Sequence, residues 1–418
     1  MKHFLKLYML WTTIVLCGQN AYSNDSVHDN LQKVDINLVQ PTPIVDPCFG
    51  YFLESPFHFL NEPKGNYKAN HLHTTIDALT FARNAEYFLP YTKGYTMLGF
   101  IANPTLNYGI GHYGQITAGV HLMGAAGDDK SIMSIKPIIR LEYKPNDFVS
   151  IVGGSLYGNL NHKLYEQMYG FDRFFMENYE MGFQVLVNYR WLDADVWCNW
   201  EDFIEPGDEK QEKLTIGIRT NSRLNGHGKA ILSVPLHIVG THRGGQFTAL
   251  KDTCLETLFN AATGLELKVY MNNQKSLDFK VPVFFSVNNS DKAHIHTIHE
   301  SGWGIYPNVT FSARQNRHKI EAGYWYADRY FSPKGSYLYQ TRSYFDPNFR
   351  CDERSMVVAK YYYNGNDKRK LRFGADVQCY YDLKEKKLDF AFGLYLKFHE
   401  NFRIAKLKKK NLESTYIN

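Results

Sequence analysis

Histidines are the first residues here whose spacing could do chemistry. His294, His296 and His299 form an H-x-H-x-x-H set, and His71 and His73 form a second H-x-H. Spacing by two puts both imidazoles on one side of an extended chain, which would suit a metal ion. No carboxylate or cysteine completes either set at close spacing, so both read as surface histidines and no metal is expected. Ser233 and His237 share one face of an expected strand, but four residues of strand span about 13 Å. That is too far for a nucleophile to hand its proton to a base. Asp193 and Asp195, also two apart, could hold a cation, yet pairing with Arg190 is the plainer expectation. No G-x-S-x-G, P-loop or helix-opening G-x-G-x-x-G is present. These residues give no catalytic group and imply no cofactor.

The elements that would have to position any such group are strands. Leu388, Phe390, Phe392, Leu394, Leu396 and Phe398 alternate with Asp389, Ala391, Gly393, Tyr395 and Lys397. Just upstream, Leu371, Phe373, Ala375, Val377, Cys379 and Tyr381 oppose Arg372, Gly374, Asp376, Gln378, Tyr380 and Asp382. A period of two means extended chain, with one face meeting an apolar medium and the other water. The same test finds sixteen candidate strands between residues 71 and 398, the first of them with two faces that hardly differ. Alternate connections are tight polar turns, among them Gly109-Ile110-Gly111-His112, Lys144-Pro145-Asn146-Asp147 and Asn364-Gly365-Asn366-Asp367. Between them lie longer connections at 158–178, 202–211, 241–261, 289–302 and 330–353. Short turns on one rim and long loops on the other, with an even strand number, match a transmembrane antiparallel β-barrel with periplasmic turns and extracellular loops.

The ends of the chain agree with that address. Lys2 and Lys6, the apolar Leu7–Cys17 stretch and Ala21-Tyr22-Ser23 read as an export signal over residues 1–23. Residues 24–70 are Pro-rich and irregular, a periplasmic or lumenal segment; 71–402 make the barrel, and 403–418 form a basic tail with Lys406, Lys408, Lys409 and Lys410. Removing the two signal lysines leaves 45 basic against 42 acidic residues, a near balance that argues against a nucleic-acid partner. Aromatics reach 15%, with 30 Tyr, as barrels with two aromatic girdles require. Of the cysteines beyond the signal, Cys198 and Cys379 fall on lipid faces and Cys48 stands apart, which leaves Cys254 and Cys351 placed for a bridge.

Assigning the apolar parity to lipid sends a mixed set of charges inside. The positive candidates are Lys136, Arg140, Arg190, Arg219, Lys268, Lys280, Lys360, Arg372 and Lys397. The negative ones are Glu142, Glu180, Asp193, Asp195, Glu201, Glu266, Asp278, Glu321, Asp376, Asp382 and Asp389. Since an Arg or Lys on the lipid face costs about 2–4 kcal/mol at the midplane, these residues require a polar lumen. With Trp325 they are expected to line a pore, and Trp197 and Trp325 could stack on sugar rings. A barrel of about sixteen strands leaves an aqueous channel unless something fills it. The expectation is therefore a non-enzymatic porin-like channel of the bacterial outer membrane for small hydrophilic solutes. Its partners would be outer-membrane lipid and lipopolysaccharide and the barrel assembly machinery. Two alternatives stay open: an occluded barrel with a binding or structural role, and a hydrolase housed in the lumen, such as an outer-membrane phospholipase.

Three stretches carry a resemblance: Asn84-Ala85-Glu86-Tyr87-Phe88 leading to Gly94-Tyr95-Thr96; Thr241-His242-Arg243-Gly244-Gly245-Gln246; and Gly393-Leu394-Tyr395-Leu396-Lys397-Phe398 with Asn401-Phe402-Arg403. They resemble porin-like outer-membrane β-barrels of Bacteroidetes-type bacteria. The resemblance implies fold and location and brings no catalytic residues.

Overall fold

The computed structural model describes residues 69–406, apart from 128–131, 226–228, 245–254, 273, 291–298, 315, 347 and 366–369. The expected export signal, residues 24–68, Cys48, Cys254, His294, His296 and the tail beyond Lys406 lie outside the described residues. The strands are β1 (His71–Glu86), β2 (Tyr95–Ile110), β3 (Gly114–Ala125), β4 (Ser134–Asn146), β5 (Val149–Ser155), β6 (Met181–Tyr189), β7 (Leu192–Asp202), β8 (Glu212–Arg223) and β9 (Ala230–Gly244). They continue as β10 (Glu256–Asn272), β11 (Lys275–Asn288), β12 (Ser301–Ile305), β13 (Asn308–Ala313), β14 (His318–Asp328), β15 (Glu353–Asn364), β16 (Leu371–Asp382) and β17 (Lys387–Lys406).

Apart from β12 and β13, each strand pairs antiparallel with its sequence neighbours, and β1 pairs with β17, so the sheet closes. β12 and β13 are two halves of one wall strand. Both pair with β11 and β14, and the break falls at Pro307, which has no N–H to give the ladder. The wall therefore has sixteen strands, as the alternation predicts. The weakly patterned β1 forms a full strand because its partners on both sides supply the ladder. β17 pairs with β1 as far as Lys406, so residues 403–406 belong to the wall rather than to a tail.

Burial runs inside out relative to a soluble protein. Ile135, Ile139, Phe183, Ile216, Leu265, Phe279, Ile320, Phe373, Phe392 and Leu394 are exposed on the outer surface. Asn103, Thr117, Arg219, Asn260, Lys268, Glu321, Lys360, Asp376 and Gln378 are buried inside. Aromatic pairs sit at the short-turn end, such as Tyr113 with Tyr143 and Phe148 with Tyr189, as at a membrane interface.

Chain from two long loops enters the lumen. Residues 156–180, between β5 and β6, send Leu156, Leu164, Tyr165, Met168 and Tyr169 inward. Residues 329–352, between β14 and β15, add Tyr330, Leu338 and Tyr339. Both pack on wall residues Trp197, Phe284, Trp325 and Val358 in one buried cluster. Trp325 and Trp197 are 0% and 2% exposed, so neither presents a face for a sugar.

Candidate active site in the barrel lumen

The β5–β6 loop begins with a 3-10 turn, Asn159–His162, and its last residue is the centre of the site. His162 is fully buried. Its Nδ1 lies 2.8 Å from Oδ2 of Asp195 on β7, and its Nε2 lies 2.7 Å from Oε2 of Glu180 at the end of the same loop. The ring lies flat on the Trp197 indole, with centroids 3.7 Å apart and planes at 13°. With both nitrogens facing carboxylates, both carry hydrogen and the ring is an imidazolium. Burial pulls its proton affinity down, but Glu180 and then Asp195 outweigh that and raise it to about 9. Burial pushes the Glu180 carboxyl up. The His162 cation reverses this, and bonds from Tyr169 and the Asn159 amide add to it, holding Glu180 down at about 2.

Two glycines make room for this arrangement. A Cβ on Gly158 would lie 2.5 Å from Glu180 Oε2, and one on Gly217 would lie 2.0 Å from the Trp197 ring. Gln184 bonds the other oxygen of Asp195 at 2.9 Å and the Tyr157 carbonyl at 3.2 Å, fixing the carboxylate that orients His162. Beside the turn opens a cleft of about 30 Å³, room for about two waters, lined by Asn103, His121, Ser155, Asn159, Asn178 and Tyr179 among others. Among the described residues no group of three or more His, Cys, Asp or Glu side chains is placed to hold a metal ion.

Further charge pairs tie the loops to the wall. Glu166 meets Lys360, Tyr339 and Tyr380. Asp172 bonds Arg83 at 2.8 Å, and Arg83 also reaches Asp376 at 3.2 Å. Tyr165 donates to Glu266 at 2.7 Å. Arg354 bonds Asp382 at 3.0 Å and the Leu338 carbonyl at 2.7 Å.

The residues read as lumenal divide by position. Arg140, Glu142, Asp195, Arg219, Glu266, Lys268, Asp278, Glu321, Trp325, Lys360, Asp376 and Lys397 face inward and are buried; Asp193, Lys280 and Arg372 are half-buried. Glu180 is buried too, but in the loop just before β6. Arg190 is exposed in the β6–β7 turn and so is not lumenal; Lys136 is exposed on β4 but shares the inward parity of Ile138 and Arg140 and lies opposite buried His121. Arg190 is also not the partner of the aspartates. Asp193 pairs with Arg219 at 2.7 and 2.9 Å on a diagonal, since the register sets Arg219 opposite Asp195, and Asp195 pairs with His162.

Ser233 and His237 are both fully buried, and neither side chain has a hydrogen-bond partner among the described residues, so no nucleophile–base pair forms there. His71 bonds the Ala69 carbonyl, His73 bonds Asn401, and His299 lies 3.9 Å from Asp352. Cys351 Sγ lies 3.1 Å from the Tyr91 hydroxyl. His162 was missed because a histidine in a long loop carries no periodic signal. Its only marks are the apolar flank Leu164-Tyr165 and the asparagines at 159 and 161.

The sequence matches the profile of one family, described as lipid A 3'-O-deacylase-type, over residues 64–407. The chain belongs to that family. It is an outer-membrane β-barrel, and the family is named for an enzyme, which overturns the expectation of a non-enzymatic barrel. The Bacteroidetes-type resemblance therefore holds at the level of an outer-membrane barrel, without a specific porin group. Comparison with curated proteins gives no match. Solved structures with a similar outline include the outer-membrane expressed OmpT of Vibrio cholerae, at 9% identity and TM-score 0.46 over 80% of this chain and 100% of that one. OccAB4 of Acinetobacter baumannii shows 10% identity and TM-score 0.43 over 80% and 99%. OccK11 of Pseudomonas aeruginosa shows 10% and 0.43 over 81% and 99%.

Proposed function

We propose that this barrel is a lipid deacylase that hydrolyses an ester-linked acyl chain of lipid A in the outer leaflet, with His162 as the general base. The observation that carries this reading is the buried His162, oriented through Nδ1 by Asp195 and covered at Nε2 by Glu180. A carboxylate on Nδ1 fixes the tautomer and stabilises the imidazolium formed during catalysis. When Nε2 loses its proton and Glu180 gives way, the neutral nitrogen can take a proton from water. The resulting hydroxide attacks the ester carbonyl. The tetrahedral intermediate then expels the sugar oxygen, which takes the proton back from His162 and leaves as an alcohol, with the fatty acid as second product. Family membership over residues 64–407 supports the reaction class.

Passive diffusion, which barrel size alone suggests, would have to pass the loops that pack inward on the wall. The test is release of free fatty acid from lipid A in mixed micelles, followed by mass spectrometry. His162→Asn should abolish release while the protein keeps the heat-modifiable gel mobility of a folded barrel. Equal release by wild type and His162→Asn would remove His162 from the chemistry.

A further inference from the structure

We propose that the barrel wall has a lateral portal between β4 and β7 through which the acyl chain of a membrane lipid enters the cleft beside His162. The inference rests on the deacylase reading and adds the route by which an outer-leaflet lipid reaches the site.

The strand register shows the opening. β4 is paired with β3 along Ser134–Tyr143, but its pairing with β5 begins only at Arg140, opposite Gly154. Among the described residues Ser134–Ile139 therefore have no strand on their other side, about 20 Å of free edge. The cause is that β5 ends at Ser155 and the chain turns into the lumen at Leu156, while β6 starts opposite Ser155 at Met181. Across the gap, Trp200 and Asp202 of β7 pair with β8 and have no β6 partner.

An open edge in lipid must still satisfy its backbone polar groups. Here side chains do so in place of a strand. The Ile139 amide donates to Ser155 Oγ at 3.0 Å. Pro137 has no N–H to lose, and its carbonyl accepts the Tyr179 hydroxyl at 2.5 Å. The Ser155 and Leu156 carbonyls, where β5 leaves the wall, accept Arg140 at 2.6 and 3.0 Å. Moving Tyr179 off the Pro137 carbonyl would widen the gap while the β4–β5 ladder from Arg140 onward stays paired.

The flanks are apolar outside, and inside the gap three apolar side chains stand among the polar ones of the cleft. Ile135 and Ile139 on β4 and Trp200 on β7 are exposed to lipid, as are Met181 and Phe183 on β6 at the foot of the gap, Phe183 at 73%. Ile138, Leu160 and Phe174 line the cleft together with Asn159 of the His162 turn. Because the gap opens on the lipid-facing surface, the occupant is a lipid tail running along Ile138, Leu160 and Phe174, with its polar ester toward the polar groups of the cleft.

The test is photo-crosslinking in proteoliposomes of phosphatidylethanolamine carrying a tagged acyl chain, using the full chain with p-benzoylphenylalanine in place of Leu160. Phe183 replaced in the same way is the lipid-facing control. We expect a lipid adduct at both positions, and Ile138→Trp should cut the Leu160 adduct severalfold while leaving the Phe183 adduct unchanged. If Ile138→Trp loses heat-modifiable mobility, Ile138→Phe takes its place. An adduct at Phe183 with none at Leu160, or a Leu160 adduct indifferent to the filled cleft, overturns the portal. The readout needs no turnover. Fatty-acid release without a Leu160 adduct would sink the portal alone, and an adduct without release would sink the deacylase alone.

Discussion

Replacing Glu180 with Gln should make the enzyme faster at neutral pH, and this is the sharpest consequence of the site. His162 is held at about 9 by two carboxylates, of which Glu180 is the stronger. A base must be neutral to accept a proton, so at pH 7 only about 1% of the molecules are competent. The rate should therefore climb roughly tenfold per pH unit and level off near pH 9. Glu180→Gln removes the larger attraction for the proton and keeps Asp195 on Nδ1. The midpoint should fall by at least about one unit, which raises the competent fraction at pH 7 about tenfold or more. The assay is the initial rate of fatty-acid release across pH 6–10 in a buffer of constant ionic strength. A midpoint that stays near 9, or a loss of rate by the same factor at every pH, would refute the assignment of Glu180 as the group that restrains the base.

Other expectations follow from the same contacts. Asp195→Asn removes the orienting carboxylate and should lower the rate about 100-fold across the pH range, measured in the same assay. Gly217→Ala places a Cβ 2.0 Å from the Trp197 ring and so displaces the surface on which His162 lies; kcat should fall by about 100-fold with gel mobility intact. The His162 clamp also stabilises the β5–β6 loop. Its folded proton affinity exceeds the ordinary value of 6.5, so the stabilisation is full below about pH 6.5 and is lost as pH rises through about 9. Protease cleavage within residues 156–180 should increase over that window. Lys360→Met leaves Glu166 buried without its cation, a cost of about 3–5 kcal/mol to loop docking; limited proteolysis should cut the loop while the barrel survives. Leu394→Lys puts a charge on the lipid face and should cost about 2–4 kcal/mol in reversible unfolding if it lies near the midplane.

Much of the wall was legible in the chain because parity is a local property. Leu388 through Phe398 declare two faces with no knowledge of any partner, and the Gly-, Asn- and Asp-rich turns declare where each hairpin reverses. Glu180 and Asp195 were visible as inward charges for the same reason. Their partner was not. His162 reaches them only because the β5–β6 loop folds into the lumen, and nothing in residues 156–180 alone distinguishes an inward loop from one that projects into solvent. That choice depends on the volume sixteen closed strands enclose and on wall groups such as Lys360, Glu266 and Arg83 waiting to be neutralised. Strand pairing also decides where the wall is interrupted, since the free edge of β4 exists only because β5 stops at Ser155. The order of residues determined which medium each side chain would meet. Only closure of the barrel, which sets distances between residues far apart in the chain, decided which of them could act together.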